Sequence, residues 1–174
     1  MPASLNAETL LAYNLEETAR WKIWFLAHPE ALAAKCDIAR VDTLGGLLYH
    51  ICWVEKLYAC RLLDQPIPAL NPPTEPKVED LFALSESASP MFHQFIASAT
   101  PETMASRLTW QSRFAGEGEF SFTRTKVLFH ALTHSMRHWA QVPPILRAAG
   151  FDTNIPKADG KPWMHDFLFT GAME

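Results

Sequence analysis

The chain has 174 residues, of which 48% are hydrophobic and 20% charged, and this composition is typical of one globular domain spanning residues 1–174. Its net charge of −4 argues against a nucleic-acid partner, because phosphate binding needs clustered cations. The longest nearly apolar stretch, residues 44–54, is too short to cross a membrane, and the N-terminus lacks a secretory signal pattern. We therefore expect a cytoplasmic protein with no membrane partner.

Four segments have the apolar spacing of amphipathic helices, at about residues 5–27, 43–62, 78–98 and 123–150. The first is expected to bury a stripe formed by Leu11, Leu15, Ala19, Ile23 and Leu26. Asp42 or Thr43 is expected to cap the second helix, which ends before a proline-rich crossover. Pro143 and Pro144 predict a kink in the fourth helix, and Gly150 suits its C-terminal end.

Other segments interrupt this helical rhythm. Alternating apolar residues over 108–122, around a glycine-containing turn at 115–119, predict a small hairpin or irregular excursion before the fourth helix. Residues 29–40 have no strong stripe, and the aromatic residues of the tail, 151–174, are expected to pack back on the helices. The sequence therefore predicts an all-α protein, a four-helix bundle with a small excursion before its last helix and a packed C-terminal tail.

The fourth helix carries two histidines within a core seam. The seam positions are spaced four, three, four, three and four residues apart, and they are Val127, Ala131, His134, His138, Gln141 and Ile145. His134 and His138, at i and i+4, project from one face of the helix, and this spacing lets two imidazoles reach a single metal ion. A lone histidine on an apolar face is more often a hydrogen-bonded core residue, but two on one seam favour a metal site.

A third ligand is expected from another helix. His50 lies on the inward side of the second helix, three residues after Leu47 and four before Val54. Three neutral imidazoles would leave a divalent ion its full charge and an open position for water or substrate. His130, one turn before His134, is a weaker alternative, because three ligands along one straight helix spread over about 12 Å.

At this point the chain resembles a known family. An inward histidine in DTLGGLLYHICWVEKLYACRLL is followed by a proline-rich crossover and then by LFHALTHSMRHWAQVPPILRAAGFD. This order is similar to that of the DinB-like (YfiT-like) metalloprotein superfamily. The resemblance implies a four-helix bundle, often a homodimer, that holds a divalent metal on His50, His134 and His138. The family usually reads His-Arg-Gly-Gln where this chain has His-Trp-Ala-Gln at residues 138–141.

The resemblance also implies a chemistry, since some relatives are transferases or isomerases that use low-molecular-weight thiols such as bacillithiol, mycothiol or glutathione. We therefore expect a metal-dependent enzyme of thiol-transferase type that acts on a small-molecule substrate through an open three-histidine centre. Zn, Ni and Fe(II) all accept imidazole, so each is a candidate ion. His130, Tyr58 and Glu55 are candidates for proton transfer or polar contacts, although the position of Glu55 is more typical of a solvated helix residue.

Two alternatives stay open at this stage. A metal-bound water could make the protein a hydrolase, or the ion could only support a non-catalytic, ligand-binding bundle in a stress response. The non-catalytic alternative needs a fourth protein ligand that closes the site, for which His130 or Cys52 would be the first candidates. The remaining aromatic candidates are expected either to line a pocket or, more commonly, to form core or dimer packing, and they are Tyr13, Trp21, Trp24, Trp53 and Trp139.

Overall fold

A computed structural model describes residues 6–111 and 118–153 with their side chains, and the backbone of residues 155–156 and 162–163. The protein is mostly helical. Its helices, in chain order, are α1 (Ala7–Ala27), α2 (Leu44–Leu62), α3 (Val78–Ser98), α4 (Pro101–Ala105), α5 (Arg124–Trp139) and α6 (Val142–Ala148). A 3-10 turn at Pro29–Ala33 follows α1.

Three small antiparallel hairpins accompany the helices. They pair β1 (Lys35–Ile38) with β2 (Val41–Thr43), β3 (Arg107–Gln111) with β4 (Glu119–Thr123), and β5 (Ile155–Pro156) with β6 (Pro162–Trp163). No helix within the described part of the chain is both long enough and apolar enough to span a bilayer.

Helix α2 is the central element of the fold. It packs against α3 and α5, and α1 packs against the same two helices. Fourteen of its 19 residues are buried, as expected of a helix that is apolar nearly all round. Thr43 caps its N-terminus as predicted, with the hydroxyl oxygen accepting a hydrogen bond from the backbone N–H of Gly46.

The stripe predicted for α1 is wrong from Ala19 onward, because Ala19 is exposed. Ile23 and Leu26 are 63% and 44% exposed, whereas the buried face ends in large aromatic rings at Trp21, Trp24 and Phe25. A spacing of four residues drifts around a helix of 3.6 residues per turn, so the predicted stripe leaves the core face after two turns. The larger apolar area of the aromatic rings sets which face is buried.

The predicted fourth helix is interrupted before Pro143 and Pro144, where the sequence predicted a kink. Helix α5 ends at Trp139, and α6 begins at Val142 as a separate helix. Pro143 lacks an N–H group and its ring would clash with the carbonyl of Trp139 four residues before it, so the break precedes the proline pair. Gly150 adopts a φ of +86°, and the N–H of Phe151 donates to the Leu146 carbonyl, which confirms the predicted helix end.

The excursion before α5 is a regular hairpin. Leu108 pairs with Phe122 and Trp110 with Phe120, which confirms the alternation read from the sequence. The predicted turn lies largely outside the described residues. The hairpin of β1 and β2 was not predicted, because Ala39 and Arg40 at its turn have positive φ angles without the Asn or Gly that usually signals such a turn.

The start of the C-terminal tail packs on α1. The indole N–H of Trp24 donates to the backbone carbonyl of Asp152 at 3.1 Å, and the rings of Trp24 and Phe151 lie 5.9 Å apart. The aromatic residues further along the tail, on which the packing prediction depended, lie outside the residues whose side chains are described. The contact with α1 nevertheless brings the chain back over the helices immediately after α6.

A stack of aromatic rings joins three of the long helices. The indole of Trp139 lies nearly parallel to that of Trp21 at 6.1 Å and to the ring of Phe82 at 6.0 Å. Its N–H donates to the hydroxyl of Thr18. The tryptophan that stands where the resembled family carries Arg is therefore fully buried core, with its one polar atom satisfied.

Replacing this ring should destabilise the protein strongly. We expect Trp139→Ala to lower the free energy of unfolding by about 3–5 kcal/mol, because it leaves a cavity between three helices. Phe129→Ala, at a position that is 64% exposed on the same helix, should change it by no more than about 0.5 kcal/mol. Urea unfolding of both variants and the parent measures the difference. Equal midpoints for the two variants would contradict this account of the core.

Candidate metal centre

The packing of α2 against α5 brings together the three histidines singled out in the sequence. The Nε2 atoms of His50 and His134 are 3.1 Å apart. The ligand atoms of His50, His134 and His138 all lie within 4.8 Å of one another. Nitrogens that bind one ion at 2.0–2.1 Å lie roughly 3.3–3.4 Å apart in tetrahedral geometry, so the closest pair is already near the spacing of two ligands.

Burial leaves this centre with an inner side and an outer side. His134 is buried, whereas His50 and His138 are half-buried. The three ring centroids lie 4.5–5.0 Å apart, with the plane of His138 steeply inclined to the other two. A cation bound by these three rings would have the buried His134 on its inner side. The half-buried rings of His50 and His138 would leave it accessible to solvent on the outer side.

Gln141 fixes the orientation of one ring. Its side-chain oxygen accepts a hydrogen bond from Nδ1 of His138 at 2.7 Å, which leaves Nε2 of that ring as the lone-pair donor. The interruption between α5 and α6 places Gln141 here, because it stands in the link between the two helices. A hydrogen bond to the second ring nitrogen is the usual way in which a protein orients a metal-binding histidine.

All three imidazoles are held neutral. Burial, together with the neighbouring His138, lowers the pKa of His50 to about 4, and burial with repulsion from the other histidines lowers that of His134 to about 2. Burial also lowers the pKa of His138. Within the described residues, Nδ1 of His134 is buried without a hydrogen-bond partner. Neutral, closely spaced imidazoles are the donor set that Zn, Ni and Fe(II) accept, so the site fits a divalent ion.

Comparison with known proteins agrees with this geometry. The sequence profile of the DinB superfamily matches residues 18–142, more than two thirds of the chain and a range that includes all three histidines. The chain belongs to the DinB superfamily. Members of this superfamily often bind metal ions. The chain has no significant match among curated proteins.

Of the three further candidates in this DinB-superfamily chain, His130 lies beside the histidine centre and Tyr58 packs on His130. The ring of His130 is 5.5 Å from that of His134, and the ring of Tyr58 is 5.2 Å from that of His130. Both are half-buried, and burial lowers the pKa of His130. His130 is not within the group of three that could share an ion, so it lies at the edge of the centre and does not complete it.

The interpretation of Glu55 as a solvated residue is wrong. Its side chain is buried, its carboxylate accepts a hydrogen bond from the hydroxyl of Ser135 at 2.5 Å, and burial raises its pKa. On a helix with one solvent-exposed face, the position one residue after Val54 would be exposed. Nearly all sides of α2 are instead buried by the rest of the protein. Glu55 therefore ties α2 to α5 inside the protein and does not belong to the histidine group.

Cys52 does not complete the centre either. It is fully buried on α2, and burial with the nearby carboxylates of Glu55 and Glu86 raises its thiol pKa well above the usual value. It is absent from the group of potential ligands found among the described residues. A protonated thiol in this position behaves as a small core side chain.

The aromatic candidates divide between core and partly exposed positions. The tryptophans among them are all buried within one hydrophobic cluster, which confirms the core interpretation, and they are Trp21, Trp24, Trp53 and Trp139. Tyr13 is half-buried on α1. Among the described residues, the further ring in contact with the histidine centre is that of His130, on which Tyr58 packs.

The lowered histidine pKa values predict how stability depends on pH. Below about pH 6.5 His50 and His134 become protonated in the unfolded chain. In the folded chain they stay neutral down to about pH 4 or lower. The metal-free protein should therefore lose stability as the pH falls from 7 to 5. Urea midpoints at the two pH values measure the loss. The double variant His50→Gln, His134→Gln should show a smaller loss, and an equal one would contradict the assignment.

Proposed function

We propose that this protein binds one divalent metal ion per chain on His50, His134 and His138 and catalyses metal-dependent thiol transfer. The observation that carries the proposal is the convergence of three neutral imidazoles with a partly exposed outer side. The proposal includes two expectations from the family resemblance, that the four long helices form the superfamily's bundle and that the chain is a homodimer. The packing of α1 and α2 against both α3 and α5 supports the bundle.

Each residue of the centre has its own role. His50, His134 and His138 offer lone pairs, and Gln141 keeps the ring of His138 in the tautomer that does so. A divalent ion bound there would supply the positive charge that stabilises a thiolate. His130 is neutral at pH 7 because burial lowers its pKa, so it can accept the proton that the thiol releases.

Catalysis is favoured over a purely structural ion by the number of ligands. A structural site is closed by a fourth protein ligand, but His130 and Cys52 both lie outside the group of three among the described residues. His50 and His138 are only half-buried, so part of each ring is open to solvent on the outer side. The proposal is therefore an open centre, at which an attacking thiol or a water molecule could bind.

Metal content gives the first test. We expect the purified protein to carry close to one divalent ion per chain, and His134→Ala to lose most of it, because the buried imidazole supplies the inner ligand. His93→Ala, which removes an exposed histidine on α3 next to Glu8, is the matched control and should keep the ion. Elemental analysis of the three proteins decides the assignment, and equal content in all three would overturn it.

Turnover gives the second test. A panel of small thiols is combined with a chlorinated aromatic acceptor, so that a carbon–sulfur bond forms, chloride leaves and the thiol proton passes to a base. We expect turnover that a chelator abolishes, that added metal restores, and that His134→Ala lowers by at least about a hundredfold. Metal-dependent hydrolysis of an ester without any thiol transfer would instead identify a hydrolase.

A further inference from the structure

The interior holds a cluster of polar side chains that the histidine centre does not use. Asn14 of α1, Glu55 of α2, Ser85 of α3 and Ser135 of α5 are all buried. The carboxyl group of Glu55 accepts hydrogen bonds from the hydroxyls of Ser135, at 2.5 Å, and of Ser85. Each of the four long helices contributes one member, so the cluster lies where these helices meet.

Asn14 has a partner for only one of its two polar atoms. Its Nδ2 donates to the backbone carbonyl of Leu132 on α5 at 2.6 Å. Because that carbonyl can only accept, the amide nitrogen must face it, and the orientation of the side chain is fixed. Oδ1 of Asn14 is buried and has no hydrogen-bond partner among the described residues. A buried acceptor without a donor is costly, so a donor is expected beside it.

A small cavity provides the space for such a donor. Its polar lining consists of Asn14, Glu55, Ser85 and Ser89, and the rest of its wall is apolar. The centre of a water molecule can occupy about 10 Å³ of this cavity. One water needs about 10–15 Å³ on this measure, so the cavity suits a single guest of that size and no larger ligand. Ser89 is only half-buried, which gives a guest a route from solvent.

The polar lining also limits the chemistry of the guest. Oδ1 of Asn14 and the carboxyl oxygens of Glu55 accept hydrogen bonds, while the hydroxyls of Ser85 and Ser89 can accept or donate. The guest must therefore donate at least two hydrogen bonds, as a water molecule does. Burial raises the pKa of Glu55, which favours the neutral carboxyl group and so favours a neutral guest over a cation.

We propose that this cavity binds one water molecule, which donates hydrogen bonds to Oδ1 of Asn14 and to the carboxyl group of Glu55. The water joins α1 to α2 through the interior. Together with the bonds from Asn14 to Leu132 and from Ser135 to Glu55, it completes a polar connection among α1, α2 and α5. This site is separate from the histidine centre and does not rest on the proposed thiol chemistry.

Crystals grown in sodium chloride and in rubidium chloride test the proposal directly. We expect one density peak in the cavity, about 2.6–3.0 Å from Oδ1 of Asn14 and from a carboxyl oxygen of Glu55. The peak should have the same height in both salts and no anomalous signal. A cavity without density would overturn the proposal. An anomalous Rb⁺ peak would overturn it as well, because it would identify a site for a monovalent cation.

Oxygen-17 relaxation dispersion tests the same site in solution, because it counts internal waters that exchange slowly. We expect Asn14→Leu, which keeps the branched shape of the side chain but removes its oxygen, to lower the count by about one. Asn71→Leu is the matched control, since it makes the same exchange at an exposed position, and it should keep the count of the parent protein.

The comparison isolates the water beside Asn14 from any others. Waters at the histidine centre contribute equally to the parent protein and to both variants, so they cancel in the difference. An equal count in Asn14→Leu and the parent would overturn the role of Asn14. The parent crystals decide whether the cavity holds a water even if Asn14→Leu does not fold.

Discussion

The packing of α2 against α5 is the constraint on which both the fold and the candidate site depend. It places one imidazole of α2 within 3.1 Å of an imidazole of α5, and burial keeps both neutral. Two other polar links tie the same helices. Glu55 accepts from Ser135 in the interior, and Arg124 at the start of α5 donates to the Leu62 carbonyl at the end of α2. The position of the histidines is thus fixed from several points along the seam.

The departure from the usual His-Arg-Gly-Gln pattern changes the core and leaves the centre intact. The ring of Trp139 stacks between aromatic rings of α1 and α3, and its N–H donates to the hydroxyl of Thr18. His138 and Gln141 keep their spacing and their hydrogen bond at 2.7 Å. Trp139 therefore belongs to the hydrophobic core, and none of the three histidines is replaced.

The sequence was sufficient to predict the long helices and one hairpin from local spacing, although α4 was not predicted and the fourth helix is divided into α5 and α6. It also predicted the histidine group, because His50, His134 and His138 occupy inward positions of two helices. The buried face of α1 was not predictable from that spacing, since tertiary packing of Trp21 and Trp24 outweighed Ile23 and Leu26. The burial of Glu55 depended on how many neighbours surround α2, which no single helix reveals.

The location of Trp139 gives this protein a built-in optical reporter. Its indole directly follows His138 in the chain and lies in stacked contact with a second indole, that of Trp21. A small movement of α5 would alter this stacking, and with it the wavelength and intensity of the intrinsic fluorescence. Any rearrangement that accompanies occupancy of the histidine group could therefore be followed in real time on the unlabelled chain.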